Sequence, residues 1–458
     1  MSPITSRAAT AIALTLVSLP AHASGYFSLD NGIRALGRGG AYAVGADDLS
    51  AQYYNPAALS HIDGPVAQLS LAAVHQLVTF DRLDSPDYAF DPVKNSALPF
   101  IVPNIGVASK LGTEDLTLAV GLYTPYAPTY KYPEDGGQRY SLIEAMMVAT
   151  TVGPSASYRV GDILSLGAGV GWSVLAVDQS LKTSISDLPT DNPAFDTMFE
   201  ISVLDPFALA WNAGFIIEPE DGPFAIGASI TGPTAFEARG SVTGDFTENE
   251  LYTGEGALAK VIETPSASDD DATLALTLPM VIKAGVVVRP SDTVELEVDF
   301  VYQMWSVLQE FVITDFEMTI ETTGEPMVVT DDVGLPANMN NAWSVRAGTE
   351  IDTSEKVALR LGTFYESSAV DDSYRSVFMP DAPKLGYGLG ASWVAHDRWT
   401  LDFGLSQAFA FKSELTRSLA YQVRVESDGD VGSGTTVGNG DFGFVTTIFG
   451  LSASWALK

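Results

Sequence analysis

The stretch Ile163 to Ala176, ILSLGAGVGWSVLA, decides the fold class. Its alternate positions carry two kinds of side chain. The large or apolar set is Leu164, Leu166, Ala168, Val170, Trp172, Val174 and Ala176, and the small set is Ser165, Gly167, Gly169, Gly171 and Ser173. A period of two places these sets on opposite faces of a β-strand. One face suits lipid, and the other suits the inside of a barrel.

Similar alternation occurs at 116–123, 294–302 and 449–457. In the segment from Val294 the polar positions are Glu295, Glu297 and Asp299. Three carboxylates on one face cannot point at hydrocarbon, so we predict that they point inward.

The pattern predicts fourteen strands, which makes the chain an all-β, transmembrane antiparallel β-barrel. The predicted strands are 66–80, 97–110, 115–127, 145–160, 163–179, 206–218, 223–238, 272–289, 293–312, 342–351, 356–366, 385–395, 399–413 and 442–457. Connections after even strands are short and those after odd strands are long, as expected for periplasmic turns and external loops, with both termini periplasmic. In a soluble β-sandwich, short and long loops are not expected to alternate with strand number. Residues 316–330 also have weak strand character, which leaves the count open by two.

Composition narrows the classes of function. The chain has 57 acidic and 24 basic residues, and its net charge of -33 argues against nucleic acid as a partner. It contains no cysteine, so no disulfide scaffold is available.

The N-terminus has the form of an export signal. Arg7 supplies a positive charge, Ala8 to Leu19 an apolar core, and Ala21 to Ala23 a small-x-small cleavage site. We therefore predict a signal peptide at 1–23 and a mature chain that starts at Ser24. After it, no apolar run reaches the roughly 20 residues that a spanning helix needs.

Residues 24–65 precede the first strand and read as a hatch inside the barrel of 66–458. Three motifs follow one another in this stretch: Gly37 to Tyr42 (GRGGAY), Ala46 to Ser50 (ADDLS) and Tyr53 to Leu59 (YYNPAAL). Their order and spacing resemble the hatch of the FadL family (FadL/TodX-like), the outer-membrane transporters of long-chain fatty acids and hydrocarbons in Gram-negative bacteria.

The resemblance recurs in the C-terminal half. It is carried by Leu335-Pro336, by Leu359 to Tyr365 (LRLGTFY) and by Met379 to Asp381 (MPD). The chain departs from the family in having Ser368-Ala369-Val370 where Ser-Pro-Val is frequent, and in ending on Lys458 rather than an aromatic residue. The second departure weakens the usual signal for the barrel-assembly machinery, although Trp455 and Leu457 can stand in for it.

The resemblance implies passive uptake of a hydrophobic small molecule, such as a fatty acid, an alkane or a monoaromatic. It also implies an apolar external groove, a hatch that rearranges, and an exit sideways through the wall. The implied surroundings are outer-membrane lipid and lipopolysaccharide, and no cofactor is expected.

A sideways exit needs a gap in the wall. Pairing is weakest where Pro and Gly interrupt a ladder, and the second and third strands carry such residues at Pro99, Pro103, Gly121 and Pro125. Rim residues or bulges explain them equally well.

A ligand carboxylate would need a cation, and parity places Lys283, Arg346 and Arg360 in the lumen. Pairing with inward acids is the favoured role for each. Arg360 is the best ligand candidate because it alone also lies in a family motif.

The predicted hatch has its own candidates. Arg38 and the pair Asp47 and Asp48 are candidates for ion pairs that hold it, with solvated turn residues as the simpler reading. Asn55-Pro56 predicts an Asx-type turn. The favoured role of these residues and Ala57 is structural, in shaping the hatch, and a role in gating is the second possibility.

Other classes fit less well. A hydrolase would need a serine, a histidine and a third polar residue that meet, and His61 and His396 have no nucleophile motif nearby. His75 is the sole candidate, but a lone strand histidine is more often a girdle residue, so no catalytic site is predicted. The acidic clusters lack metal-loop spacing, so no metal site is predicted. A general porin or a surface adhesin remains the alternative function, although a porin would not need the forty residues before the barrel and the sequence lacks the repeats expected of an adhesin.

Overall fold

The computed structural model describes residues 30–85, 88–219, 222–254, 260–330 and 332–457. The predicted signal peptide and the predicted mature start at Ser24 lie outside the described residues.

Strands dominate the described chain. In chain order they are β1 (Val66–Arg82), β2 (Val93–Lys94), β3 (Phe100–Ser109), β4 (Leu116–Tyr126), β5 (Thr129–Lys131), β6 (Glu144–Val160), β7 (Leu164–Ile185), β8 (Asp196–Ile217), β9 (Phe224–Thr231), β10 (Thr234–Asp245), β11 (Ser266–Leu278), β12 (Val281–Ser291), β13 (Val294–Gln303), β14 (Glu310–Thr314), β15 (Met318–Ile320), β16 (Met327–Val329), β17 (Val333–Pro336), β18 (Ala342–Ser354), β19 (Val357–Glu366), β20 (Lys384–His396), β21 (Trp399–Ala410), β22 (Ser413–Leu415), β23 (Tyr421–Val425), β24 (Val431–Thr436) and β25 (Gly440–Ala456).

The wall is a closed barrel of fourteen antiparallel strands, as predicted. Its members are β1, β3, β4, β6, β7, β8, β9 with β10, β11 with β12, β13, β18, β19, β20, β21 and β25. The barrel closes where β1 pairs with β25, from Val66 opposite Ala456 to Arg82 opposite Gly440.

Three predicted strands are not continuous in the structure. The strand predicted at 223–238 is divided at Gly232 and Pro233, and the one predicted at 272–289 is divided at Pro279 and Met280. Proline has no N–H to donate, which interrupts a ladder. The strand predicted at 293–312 ends at Gln303, and β14 follows it as a separate strand.

Connections have the predicted asymmetry. Those at one end of the barrel are short, such as 161–163 between β6 and β7, while 304–341 and 411–439 are among the long ones at the other end. The weak strand character at 316–330 corresponds to the β15–β16 hairpin, which pairs outside the wall. We call the two ends of the barrel the short-turn end and the long-loop end.

The wall strand β7 shows how the barrel changes along its axis. Near the short-turn end, Leu166, Val170 and Trp172 are exposed on the outer face, and the inner face carries Ser and Gly. Toward the long-loop end the character of the faces is reversed. Leu175, Val177 and Leu181 are buried on the inner face, and the outer face carries polar residues such as Asp178.

A buried segment, residues 30–62, lies inside the barrel, and we call it the luminal segment. It contains α1 (Ile33–Gly37), α2 (Ala51–Tyr54) and a 3₁₀ helix (Pro56–His61). Wall glycines allow it to approach closely. A Cβ on Gly362 would lie 2.0 Å from the Arg38 carbonyl carbon, and one on Gly167 would lie 2.1 Å from the Ala57 nitrogen.

The long-loop end is covered by chain from the loops. The β15–β16 hairpin buries Met318, Ile320 and Met327. The β23–β24 hairpin, from the connection before the last wall strand, pairs in parallel with β7 at Ser184 and Ile185. This second hairpin therefore lies over the lumen.

The remaining helices of the described chain are short. They are α3 (Glu250–Thr253) and the 3₁₀ helices Pro193–Phe195, Trp305–Val307 and Asp372–Tyr374. Among the described residues, no helix is both long and apolar enough to cross a bilayer.

Candidate functional site in the barrel lumen

Arg38 of the luminal segment is bound by two wall carboxylates. Its guanidinium lies 2.8 Å from Glu295 Oε1 and 2.7 Å from Glu297 Oε2. Arg38 is 1% exposed, so the simpler expectation that it is a solvated turn residue is wrong. Arg38 and Asp47 both form ion pairs, but not with each other, because the inward acids of β13 are the partners of Arg38.

The same strand receives backbone groups of the luminal segment. Asp299 accepts hydrogen bonds from the amides of Tyr42 and Ala43, both at 2.8 Å, and Glu297 accepts one from Val44 at 2.7 Å. The inward direction predicted for these acids is confirmed, since both are 1% exposed. Charge-assisted bonds of this kind are among the stronger hydrogen bonds in proteins.

Asp47 and Asp48 lie on the luminal segment with different partners. Asp47 pairs with Arg34 at 2.5 Å, and Asp48 accepts a hydrogen bond from Gln68 of β1 at 3.0 Å. Partial desolvation in the lumen would raise the pKa of Asp47, whose side chain is 40% exposed, but the charges of Arg34 and Arg360 outweigh it and hold that pKa well below its usual range. Asp47 is therefore ionised at neutral pH.

Asn55 joins three parts of the lumen. Its side-chain oxygen accepts a hydrogen bond from the amide of Ala57 at 3.1 Å, the contact expected of the predicted Asx-type turn, with Pro56 between them. Its amide nitrogen donates to Ala43 O at 2.9 Å and to Phe215 O, on the wall, at 3.3 Å. A buried amide that makes these bonds fixes the position of the 3₁₀ helix.

Two of the three predicted luminal cations are paired with acids. Arg360 donates to Glu350 at 2.6 Å, and Arg346 is paired with Glu366 at 3.0 Å and with Asp30. Both arginines therefore make the ion pairs with acids that the sequence analysis favours over contact with a ligand.

Lys283 has different contacts. Its ammonium donates to the Tyr53 carbonyl oxygen at 3.2 Å and lies 4.4 Å from the centre of the Tyr53 ring. It holds the luminal segment through a carbonyl and a cation–π contact.

His61 connects the end of the luminal segment to the wall. Its Nδ1 lies 2.8 Å from Ala46 O and its Nε2 lies 2.9 Å from Glu218 Oε2. Burial lowers the pKa of His61, but the hydrogen bond and charge of Glu218 outweigh that effect and raise it above its ordinary value. His61, Glu218 and Arg289 lie at or beside a polar cavity of about 660 Å³ toward the short-turn end.

The wall is incompletely paired between β3 and β4. Their ladder runs from Ser109 opposite Leu118 to Ile105 opposite Leu122 and stops there. Beyond that point Phe100–Asn104 pairs with β1, and Tyr123 pairs with β6. We call the unpaired stretch between 100–104 and 123–126 the β3–β4 gap.

The four predicted lateral-opening residues lie at different distances from the gap. Pro103 and Pro125 are within its two edges, and Pro99 directly precedes β3. Gly121 is paired on both sides, and a Cβ there would lie 2.2 Å from Gln52 Oε1 of the luminal segment.

The inner side of the gap is apolar. Val102 of β3 packs in one buried cluster with Ile33 and Leu36 of the luminal segment. On the other edge, the rings of Tyr123 and Tyr53 are in edge contact at 5.7 Å. On the outer face, Ile101 and Ile105 are exposed.

The lumen near the long-loop end contains two small apolar cavities, of about 30 and 50 Å³. They share Ile201, Ile313 and Leu335. The first is also lined by Pro128, Tyr130, Ala145, Met147, Val177, Gln179, Leu274, Phe311 and Phe378. The second is also lined by Leu181, Thr183, Phe199, Val242, Phe316, Val329, Val333, Val423, Val425 and Val431.

Ion pairs hold the loops above these cavities. Arg82 lies 3.0 Å from Asp191, and Arg139 lies 2.7 Å from Asp196.

Burial raises the pKa of Asp381 in the connection before β20 to about 6, even though the nearby Lys384 lowers it.

The cavity-lining residues were not predicted from the sequence. A signal for them does exist, because inward positions of β7 change from Ser and Gly to Leu and Val at Leu175, and outward positions become polar. Among the described residues, no cluster of three or more His, Asp or Glu side chains is placed to hold a metal ion.

Comparison with known proteins decides the family. The family described as "Outer membrane protein transport protein (OMPP1/FadL/TodX)" matches residues 14–438. The chain belongs to this family. It is therefore an outer-membrane transporter of hydrophobic molecules and not an enzyme, and the resemblance seen in the sequence is confirmed.

Individual relatives of this FadL/TodX chain are distant. The long-chain fatty acid transport protein of Salmonella typhi is 21% identical over 87% of this chain and 91% of its own length. A putative outer membrane protein of Neisseria meningitidis is 27% identical, but the match covers 26% of this chain and 27% of that protein.

Solved structures share the fold. A Pseudomonas aeruginosa FadL homologue superposes with a TM-score of 0.72 at 18% identity, covering 95% of this chain and 100% of that one. The Pseudomonas putida toluene transporter TodX superposes with a TM-score of 0.68 at 14% identity, with the same coverage.

Proposed function

We propose that this protein takes up hydrophobic small molecules passively, by way of the apolar lumen at the long-loop end, a rearranged luminal segment and the β3–β4 gap. The relatives named for long-chain fatty acids and for toluene support hydrophobic molecules as the general cargo. No energy source is needed, because the ligand moves from one apolar site to another and then into lipid.

The observation that carries the proposal is the interrupted β3–β4 ladder with an apolar cluster behind it. An intact ladder would present paired backbone to a passing ligand, whereas the gap places Val102 and Leu36 behind exposed Ile101. A hydrophobic molecule that follows this route does not have to cross an aqueous channel.

The luminal segment is the proposed hatch. Its contacts with the wall close the lower lumen, so a ligand held near the long-loop end cannot continue straight to the short-turn end. We propose that ligand entry loosens Tyr53 from Tyr123, which opens the inner side of the gap.

Cysteine bridging tests the exit, because the native chain has no cysteine. Continuing the β3–β4 register places Asn104 opposite Tyr123, both with partly buried side chains. We would replace both with Cys, bridge them with a reducible bifunctional thiol reagent, and measure uptake of labelled toluene and oleate in cells that lack their own transporter.

We expect bridging to stop uptake and reduction to restore it. The matched control places Cys at Ala108 and Ala119, which face each other in the paired part of the same strands, and there bridging should leave uptake intact. Uptake that persists with the gap bridged would overturn the lateral exit. No uptake of either compound by the intact, inserted chain would overturn the transporter proposal itself.

A further inference from the structure

The buried side chain of Gln179 lines one of the two apolar cavities, and its amide nitrogen has no described partner. Gln179 lies on β7 between Ala145 and Ile201 of the neighbouring strands, it is 9% exposed, and it lines the cavity of about 30 Å³. Its side-chain nitrogen is buried and has no hydrogen-bond partner. Leaving a buried donor unsatisfied is unfavourable, so a partner supplied by a ligand is a physical reason for an amide at this position.

The surroundings of Gln179 carry no charge. Among the described residues that line either cavity, none is Asp, Glu, Lys, Arg or His. The luminal cations Arg38, Arg346 and Arg360 are already paired with carboxylates. A ligand carboxylate at Gln179 would be desolvated without a cation, which is strongly unfavourable.

A pure hydrocarbon fits the apolar walls but leaves the Gln179 amide unsatisfied. A molecule with one uncharged oxygen satisfies it and loses little on desolvation. Sites of this type, mostly apolar with a few placed polar groups, use those groups to orient the ligand and to select it.

We infer that the cavities at the long-loop end bind an uncharged hydrophobic molecule with one oxygen acceptor, such as a ketone or an ester, and that Gln179 donates to this oxygen. The inference rests on the proposed function, since it names the ligand class of the same apolar lumen. In the described state the cavities of about 30 and 50 Å³ are closed around their side chains, so binding includes their widening.

The test uses three ligands with eight carbons each: ethylbenzene, acetophenone and phenylacetate. Equilibrium binding is measured with labelled ligand on the purified full chain in detergent, and each variant is compared with the native protein for the same ligand, which cancels partition into micelles. The variants are Gln179→Leu, which keeps side-chain size and removes the donor, and Gln407→Leu. Gln407 is the matched control, because it lies on β21 and lines neither cavity.

We expect Gln179→Leu to weaken acetophenone binding by about three- to tenfold, the effect of one neutral hydrogen bond, and to leave ethylbenzene binding unchanged or tighter. Gln407→Leu should change neither. Equal weakening of acetophenone and ethylbenzene would overturn the inference, because Gln179 would then act by packing alone.

Phenylacetate binding provides a second result that could overturn the inference. If it binds most tightly and Lys283→Met removes that binding, the ligand is an anion and the inference is wrong. Uptake of labelled ethylbenzene by cells separates this outcome from failure of the proposed function. If the native chain takes up ethylbenzene but Gln179→Leu does not selectively weaken acetophenone binding, only the inference is overturned. If the inserted native chain takes up no ethylbenzene, the proposed function is overturned.

Discussion

The lower and upper halves of the lumen differ in what fills them. Toward the short-turn end, the space is occupied by the luminal segment, which is held by buried ion pairs such as Arg38 with Glu297. Toward the long-loop end, it is lined by Leu, Ile, Val and Phe and is covered by two hairpins. The same barrel thus combines a seal held by paired charges with an apolar chamber.

This difference assigns two tasks, sealing the lumen and binding the ligand, to different halves of the barrel. Paired charges need well-defined geometry, which makes the seal specific, whereas apolar contacts tolerate ligands of different shape. We therefore expect substitutions in the lower half to change leakage and those in the upper half to change ligand binding.

The largest effect is expected for Arg38→Met. It leaves Glu297 without its cation and Glu295 with Arg289 alone, and breaking a buried pair such as Arg38 with Glu297 typically costs about 3–5 kcal/mol. The luminal segment should detach, and single-channel conductance in planar bilayers should rise from the closed level of the native chain.

The control for this variant is Lys356→Met at an exposed turn of the short-turn end. It should keep the native conductance, and heat-modifiable migration in gels should show an intact barrel in both variants. Native-like conductance of Arg38→Met would mean that the seal does not depend on this pair.

A smaller effect is expected for Ile201→Asn in the upper half. Ile201 lines both apolar cavities, and a buried amide there costs about 1–3 kcal/mol if it finds no partner. Toluene binding should weaken by about tenfold while conductance stays at the native level. Ser202→Asn, at the next and exposed position, should change neither, and a rise in conductance for Ile201→Asn would erase the distinction between the halves.

The covering hairpin should respond more weakly still. Arg424 donates to Ser186 O at 2.9 Å, a contact that holds β23 to the end of β7, and it pairs within its own hairpin with Glu426 at 2.5 Å. Arg424→Ala removes about 1 kcal/mol of such contacts, so ligand association and dissociation should both accelerate by about fivefold, with little change in affinity. Stopped-flow fluorescence would measure the rates, and Arg417→Ala, exposed in the same connection, should match the native chain.

The smallest effect is a dependence on pH. The folded-state pKa of His61 is raised above 6.5, so its contribution is fully present below pH 6.5 and is lost as pH rises through the folded-state value. Hydrogen exchange at 56–62 should therefore accelerate from pH 6.5 upward, beyond the intrinsic increase. His61→Asn should abolish this additional increase in exchange rate, whereas His75→Asn should retain it. If the additional increase persists in His61→Asn, a group other than His61 causes it.

The wall of the barrel was predictable because alternation is local. Each residue of the segment from Ile163 has its face set by its position in the strand, and so do the inward acids Glu295, Glu297 and Asp299. The partner of Arg38 was not predictable in this way. Glu295 and Glu297 lie 257 and 259 residues from it in the chain, while Asp47 and Asp48 are close in sequence but are placed elsewhere by the fold.

The upper cavities were missed for a different reason. Simple alternation predicts apolar side chains on the outer face along the whole length of a strand. In β7 that rule is reversed from Leu175 onward, where apolar side chains are buried inward and Asp178 is exposed. The covering hairpin was missed because Gly, Ser and Asp dominate Glu426 to Gly434, a composition typical of solvated loops.

The parallel pairing of the β23–β24 hairpin has a consequence for the order of folding. It joins Arg424 and Val425 to Ser184 and Ile185, and the hydrogen bond from Arg424 to Ser186 spans 238 residues of sequence. Such a contact forms late, because the strands between must be in place before the hairpin can reach β7. With two paired residues it is also a short ladder, so it belongs to the parts of a fold that open locally without global unfolding. The hairpin is thus expected to pair after the strands that it covers and to open before them, so the mouth of the barrel can exchange ligands while the wall stays folded.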